Sequence, residues 1–238
     1  MVSKKKEIIR QVHTYLEEDA WSNALKLTNE LVKVHGEDDE LLLLFGDIYT
    51  DMGNTQKAIE YYERAISAEP GNADSYFKLG KAYESMEQEK FAMNQYQTAL
   101  RMAPTNDLYK GSLGNLMNVM GYKTGNAHLI NEGLELLEDV VYNGNPNQAL
   151  KNKLAYAYLD ASYETWIKSP ENEGKVLPTE FAHLTDARAK IKQASSLIDG
   201  NNTKLVDRIS FLSNEVDSFE KTTNDGYTII QRLSLIHI

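Results

Sequence analysis

The 238-residue chain is 42% hydrophobic and 25% charged, an ordinary balance for a folded protein, with no excess of glycine or proline that would point to disorder. Its formal net charge of -10 argues against a nucleic-acid backbone as the main ligand, because such binders need clustered lysine and arginine, and the run Lys4-Lys5-Lys6 is too short to reverse that. The absence of cysteine excludes disulfides, thiolate metal sites and cysteine nucleophiles.

The start, Met1-Val2-Ser3-Lys4-Lys5-Lys6-Glu7, is basic but is not followed by an apolar stretch of signal-peptide length. The longest apolar run, Leu41 to Phe45, is far too short to span a bilayer. No membrane partner and a cytoplasmic location are expected.

From residue 5 onward the chain repeats itself. Residues 5–38 hold Ile8, Tyr15, Ala24 and Leu31 at positions that recur later, with Val12 where later copies carry glycine and Gly36 where they carry proline. Residues 39–72 and 73–106 match each other more closely. A shift of 34 places lays Gly46 on Gly80, Tyr49 on Tyr83, Ala58 on Ala92, Tyr62 on Tyr96, Ala65 on Ala99 and Pro70 on Pro104. Small Gly46, Ala58 and Ala65 let two helices approach closely, and Tyr49 and Tyr62 fill the space around them. Gly53 and Pro70-Gly71 stop helices, and Asn54 and Asn72 are natural caps for the helices that follow.

The order Leu42-x-x-Phe45-Gly46-x-x-Tyr49, then Ala58-x-x-x-Tyr62-x-x-Ala65 and Pro70, resembles the tetratricopeptide repeat pattern. That resemblance implies an all-α fold, a right-handed superhelical solenoid of antiparallel helix pairs. About five such units and a closing helix are expected. It also implies a non-enzymatic scaffold that holds other proteins, with peptides lying against the first helix of each pair.

Beyond residue 106 the pattern degenerates. Leu113-Gly114 and Met117 restart it, about seven extra residues around Gly121 to Asn126 are expected to form a turn, and a second helix runs to near Pro146. A fifth pair is expected from Leu154-Ala155-x-x-Tyr158 through Trp166 and from Ala187, Ile191 and Ala194, so that residues 107–197 form two degenerate hairpins. The polar stretch Lys168 to Glu180, with Pro170 and Pro178, reads as a loop between them. Leu205, Ile209, Leu212 and Val216 mark a closing helix over 201–220. Residues 221–238 read as a linker. Within it, Leu233 to Ile238 resembles the translation of a transposon-end adapter, which would make it foreign sequence at a truncated end; a genuine short apolar tail is the alternative.

Catalytic chemistry is not evident. His13, His35, His128, His183 and His237 are scattered without the spacing of a helical zinc site. Gly121-Tyr122-Lys123-Thr124-Gly125 lacks the spacing of a phosphate loop. Glu37-Asp38-Asp39-Glu40 sits at a helix start, where negative charge suits the dipole. Asn201-x-Thr203 has the spacing of a glycosylation acceptor but no secretion signal accompanies it. No catalytic residue, metal or cofactor is therefore expected.

The resemblance places a candidate peptide-binding row on the first helices: Ile9 and His13, then Glu40, Leu43, Asp47, Thr50 and Asp51, then Asp74, Phe77, Lys81 and Glu84. Ile9, Leu43 and Phe77 recur at intervals of 34, so they either form an apolar ladder up the groove or pack against the neighbouring repeat. With acids beside them, the expected ligand is a peptide with apolar anchors and basic flanks. Acidic chaperone tails are disfavoured, since apolar residues stand where lysine would be wanted. The competing reading is the N-terminal region of a truncated multidomain enzyme. Its support is Asp225-Gly226-Tyr227-Thr228-Ile229-Ile230-Gln231-Arg232, which resembles the first strand of protein kinases.

Overall fold

The computed structural model describes residues 2–167 and 178–224. All regular structure among them is α-helix, in eleven segments. Most of the Lys168 to Glu180 stretch and all of residues 225–238, including the kinase-like and adapter-like segments, lie outside the described residues. Two compact units are present, Met1–Asn126 and Ala127–Ile238.

In the first unit, α1 (Val2–Glu17), α2 (Trp21–His35), α3 (Asp39–Asp51), α4 (Thr55–Ala68), α5 (Ala73–Ser85), α6 (Glu89–Met102) and α7 (Asp107–Thr124) each pack on the next in chain order. The result is the expected solenoid of helix pairs. Sequence explains where each helix starts. Asp38, Asn72 and Asn106, spaced by 34, each turn a side-chain oxygen onto backbone amides of the helix they precede: Leu41 N at 3.0 Å, Asp74 N at 3.0 Å, and Leu108 N and Tyr109 N at 3.0 and 3.2 Å. These caps satisfy amides that have no partner inside the helix.

The corners within pairs recur at the same interval. Asp19, Gly53 and Glu87 occupy equivalent places and share a left-handed backbone, with φ of 55°, 73° and 57°. Glycine adopts that conformation without strain, whereas the two acids carry a steric cost there.

The two helices of a pair differ in character. Leu41 to Gly46 of α3 are all buried, so α3 is enclosed on most sides. Its partner α4 buries only the stripe Ala58, Ile59, Tyr62 and Ala65. Val12, Ala24, Leu31, Leu41, Leu44 and Ile48 form the core between the first two pairs, and Leu42, Leu43, Ala58, Ile59, Tyr62, Ala65, Leu79 and Ala82 form the next.

One expectation is corrected here. Gly121 to Thr124 do not form a turn; they are the last turn of an 18-residue α7, and the chain leaves it only at Gly125, whose φ is 67°. Gly121 is buried within that helix, and the Thr124 hydroxyl donates back to the Met120 carbonyl at 2.8 Å, so the last turn is internally bonded.

The second unit holds α8 (Ala127–Asn143), α9 (Gln148–Ile167), α10 (Pro178–Leu197) and α11 (Thr203–Asn224). Leu154, Ala155, Ala157, Tyr158 and Leu159 are buried almost without interruption, which makes α9 the central helix, packed by α8, α10 and α11. Leu205, Leu212 and Val216 of α11 close this core. The helix continues to Asn224, four residues beyond the expected end of the closing helix at 220.

Candidate protein-binding surface

The candidate row residues all lie on α1, α3 and α5, and side chains tie these helices together laterally. Lys5 of α1 reaches Asp38 at 2.6 Å and Glu40 at 2.7 Å. Burial opposes the charge on Lys5, but its hydrogen bonds to the two carboxylates outweigh that and hold the ammonium above its ordinary value. Burial likewise works against the Asp38 anion, and the Lys5 bond and the Leu41 amide overcome it, holding that carboxyl below its usual range. One layer on, the Asn72 amide donates to Asp39 at 3.0 Å.

Asp47 is the centre of the next cluster. The Tyr62 hydroxyl donates to it at 2.9 Å, and Lys78 of α5 donates to its two oxygens at 2.9 and 3.0 Å. The Thr50 hydroxyl lies 3.0 Å from the Tyr62 oxygen and 2.9 Å from the Gly46 carbonyl. In the following repeat the Tyr96 hydroxyl donates to Glu84. Burial, reinforced by the adjacent carboxylates, pushes both phenols far above their ordinary value, so both remain donors throughout the physiological range. Asp51 differs: no hydrogen bond or ion pair closes on it among the described residues. Burial, and then the charges of Asp47 and Asp19, raise its carboxyl above the ordinary range.

His13, Glu40, Thr50, Asp51 and Lys81 are exposed, and Asp47, Asp74 and Glu84 half-buried. The apolar ladder is not a free surface. Leu43 is 9% exposed and Phe77 5%, and the Phe77 ring lies between Tyr96 at 5.4 Å and Tyr109 at 4.7 Å. Ile9 is half-buried against the first core. Side chains this size recover more by filling the gap between helices than by facing water, so of the two readings, packing describes Leu43 and Phe77.

Two features were missed at the level of sequence. The tyrosine hydroxyls that hold Asp47 and Glu84 come from the second helices; the available signal was tyrosine at positions 62 and 96, where the repeat pattern carries phenylalanine. Lys78 was also overlooked, because its link to Asp47 joins separate repeats. No group of His, Asp or Glu suited to hold a metal occurs among the described residues, and no helix there is long and apolar enough to cross a membrane.

Comparison with known proteins agrees with this geometry. A family model described as TPR repeat matches residues 46–86, and a second, described as tetratricopeptide repeat, matches residues 73–106. No curated protein matches. Among solved structures, Pseudomonas aeruginosa PilF superposes with a TM-score of 0.64 at 12% identity, covering 98% of this chain and 91% of its own. YrrB, described as a TPR protein with an unusual peptide-binding site, superposes with a TM-score of 0.57 at 14% identity, covering 84% of this chain and 88% of its own. A thermophilic TPR protein of Thermus thermophilus gives a TM-score of 0.55 at 16% identity, covering 87% of this chain and 98% of its own. At these identities the likeness is one of fold.

Proposed function

We propose that this chain, whose residues 46–106 are tetratricopeptide repeats, is a protein-interaction scaffold that holds a segment of another protein along the row formed by α1, α3 and α5. The observation that carries this reading is the contrast within α3. Leu41 to Gly46 are locked in the core while Glu40, Thr50 and Asp51 stay exposed, so the exposed side chains stand on a base that does not yield. A rigid surface loses little entropy when a flexible segment settles on it. The peptide-binding site named for YrrB supports the same class of function.

The partner segment carries basic side chains. Row acids outnumber row bases, and at Asp51 the charges of Lys78 and Lys81 do not offset burial and the neighbouring Asp47 and Asp19. Leu43 and Phe77 support the row from beneath.

The test is affinity capture with the full chain and with Glu40→Ala/Asp51→Asn, both exposed positions, followed by calorimetry on each captured segment. A loss of at least about tenfold in affinity, roughly 1.4 kcal/mol, is expected in the variant. Undiminished binding of every captured partner would rule the row out.

A further inference from the structure

The second and third repeats treat one set of ring positions differently. In the second, the Tyr49 ring stacks on Tyr61 with 5.4 Å between centroids, and Tyr61 stacks on Phe45 at 5.0 Å. Two cations of α4 cap this cluster. The Lys57 ammonium lies over Tyr49, 5.0 Å from its centroid, and the Arg64 guanidinium over Tyr61 at 5.1 Å, while Arg64 also pairs with Glu37. The negative face of an aromatic ring attracts a cation, so the aromatic cluster of this repeat is furnished with its own.

A shift of 34 places keeps the tyrosine, now Tyr83, but replaces both cations, Lys57 by Phe91 and Arg64 by Thr98. Phe91 is 57% exposed and lies tilted on Tyr83 with 5.5 Å between centroids. Among the described residues no cation lies over either ring; Lys90, next to Phe91 in the chain, is exposed. At the rim of the pair the Tyr83 hydroxyl donates to Glu63 of α4 at 3.3 Å. Burial, and then the Glu63 charge, raise the Tyr83 phenol, so it stays a donor to that carboxylate. No cation pairs with Glu63 among the described residues, and the register puts neutral Asn29 and Gln97 in the equivalent places. An exposed ring pair with an unpaired carboxylate at its rim is thus particular to the layer of α4, α5 and α6.

We propose that the Tyr83–Phe91 pair, with Glu63 at its edge, is a docking point for an arginine side chain of a partner protein. The second repeat shows which chemistry these ring positions accept, because Lys57 and Arg64 supply it from within the chain; the third repeat leaves the place open. Arginine suits it better than lysine. A planar guanidinium stacks on a ring face while its N–H groups reach a carboxylate, whereas an ammonium is a compact, strongly hydrated point charge. An acidic side chain would meet both the negative ring faces and Glu63. Tyr83, Phe91 and Glu63 are not part of the row on α1, α3 and α5, so either surface can fail without the other.

The experiment uses the full chain with isotope-labelled aromatic rings, titrated in the NMR spectrometer with glycine–serine peptides that carry one central arginine, lysine or citrulline. The arginine peptide is expected to shift the Phe91 and Tyr83 ring signals saturably, and to bind at least about fivefold tighter than the uncharged citrulline peptide. The lysine peptide should fall between them. Phe91→Lys gives the third repeat an internal cation, as Lys57 does in the second, and should lower the arginine peptide's affinity at least about tenfold. Phe91→Ala, a truncation at an exposed position, should weaken it too, and Glu63→Gln should weaken it about threefold and flatten its dependence on salt. The row variant Glu40→Ala/Asp51→Asn should leave it unchanged, with circular dichroism showing the same helix content throughout. The docking point is overturned if the arginine peptide leaves both ring signals in place, or if the lysine or citrulline peptide binds as tightly. Full affinity in both Phe91 variants would overturn it as well, and so would loss of binding in the row variant, which would move the peptide to the row.

Discussion

Gly46 and Tyr62 are in such close contact that a Cβ built on Gly46 would lie 2.2 Å from the Tyr62 Cε1, well inside van der Waals distance. Gly80 repeats the relationship with Tyr96, at 2.6 Å from Cδ1, and there the Ala92 carbonyl oxygen stands 3.3 Å away as well. The bare backbone of the first helix is thus the seat on which the second helix places its aromatic ring, and the ring's hydroxyl then reaches the row carboxylates.

Gly46→Ala should therefore destabilise the first unit by about 1–3 kcal/mol, the usual range for overpacking, despite the better helix propensity of alanine. Urea unfolding followed by circular dichroism checks it. Combining Gly46→Ala with Tyr62→Leu should cost less than the sum of the two single changes, because the clash disappears with the ring. Strict additivity would show that the contact does not set the helix spacing.

Removing only the hydroxyl separates packing from polarity. Tyr62→Phe leaves the ring on Gly46 but deletes a donor to Asp47, with an expected loss of about 1–2 kcal/mol. Asp47→Ala should cost more than Tyr62→Phe, since it removes the shared carboxylate partner of both the Tyr62 hydroxyl and the Lys78 ammonium. Denaturation midpoints that rank the two variants in the opposite order would place the stability elsewhere.

Asp51 predicts a pH dependence of definite sign. Its folded carboxyl titrates above the ordinary 3.8, so between the two values the folded state binds more protons than the unfolded one. Stability then falls as pH rises through that window, and the whole penalty is present at neutral pH. Asp51→Asn should raise the thermal midpoint at pH 7 and leave it unchanged at pH 3, where aspartate is neutral in both states. A gain of equal size at both pH values would assign the effect to something other than charge.

The corner positions give a stability test. Glu87→Gly should stabilise the fold by up to about 1 kcal/mol, because a left-handed non-glycine residue gives way to one that tolerates the conformation. Gly53→Ala, the reverse change in the equivalent corner, should destabilise by a similar amount. Thermal melts of the two variants decide it.

The repeat was legible because its marks are local. Gly46, Ala58, Tyr62, Ala65 and Pro70 each do a job that only a few residue types can do, so their recurrence at 34 places survives in the sequence. Asp38, Asn72 and Asn106 cap for the same reason: a cap depends on amides two or three residues away. The end of α7 was misread because Gly121 and Gly125 look alike in sequence; only the tertiary structure buries the first inside a helix and gives the second a positive φ.

The row was partly legible and partly not. Spacing fixed which residues lie on one face of α1, α3 and α5, since helix geometry is set by the chain itself. Whether Phe77 met water or protein depended on side chains distant in the chain, Tyr96 and Tyr109, and no local pattern carries that information. The same holds for the Lys78–Asp47 bridge across 31 residues and for the effect of Asp19 on the Asp51 carboxyl. Periodicity is written along one chain and determined which helices form and how they pair; burial, ion pairing and shifted acidity are sums over neighbours in space, and only the packed structure decides who those neighbours are.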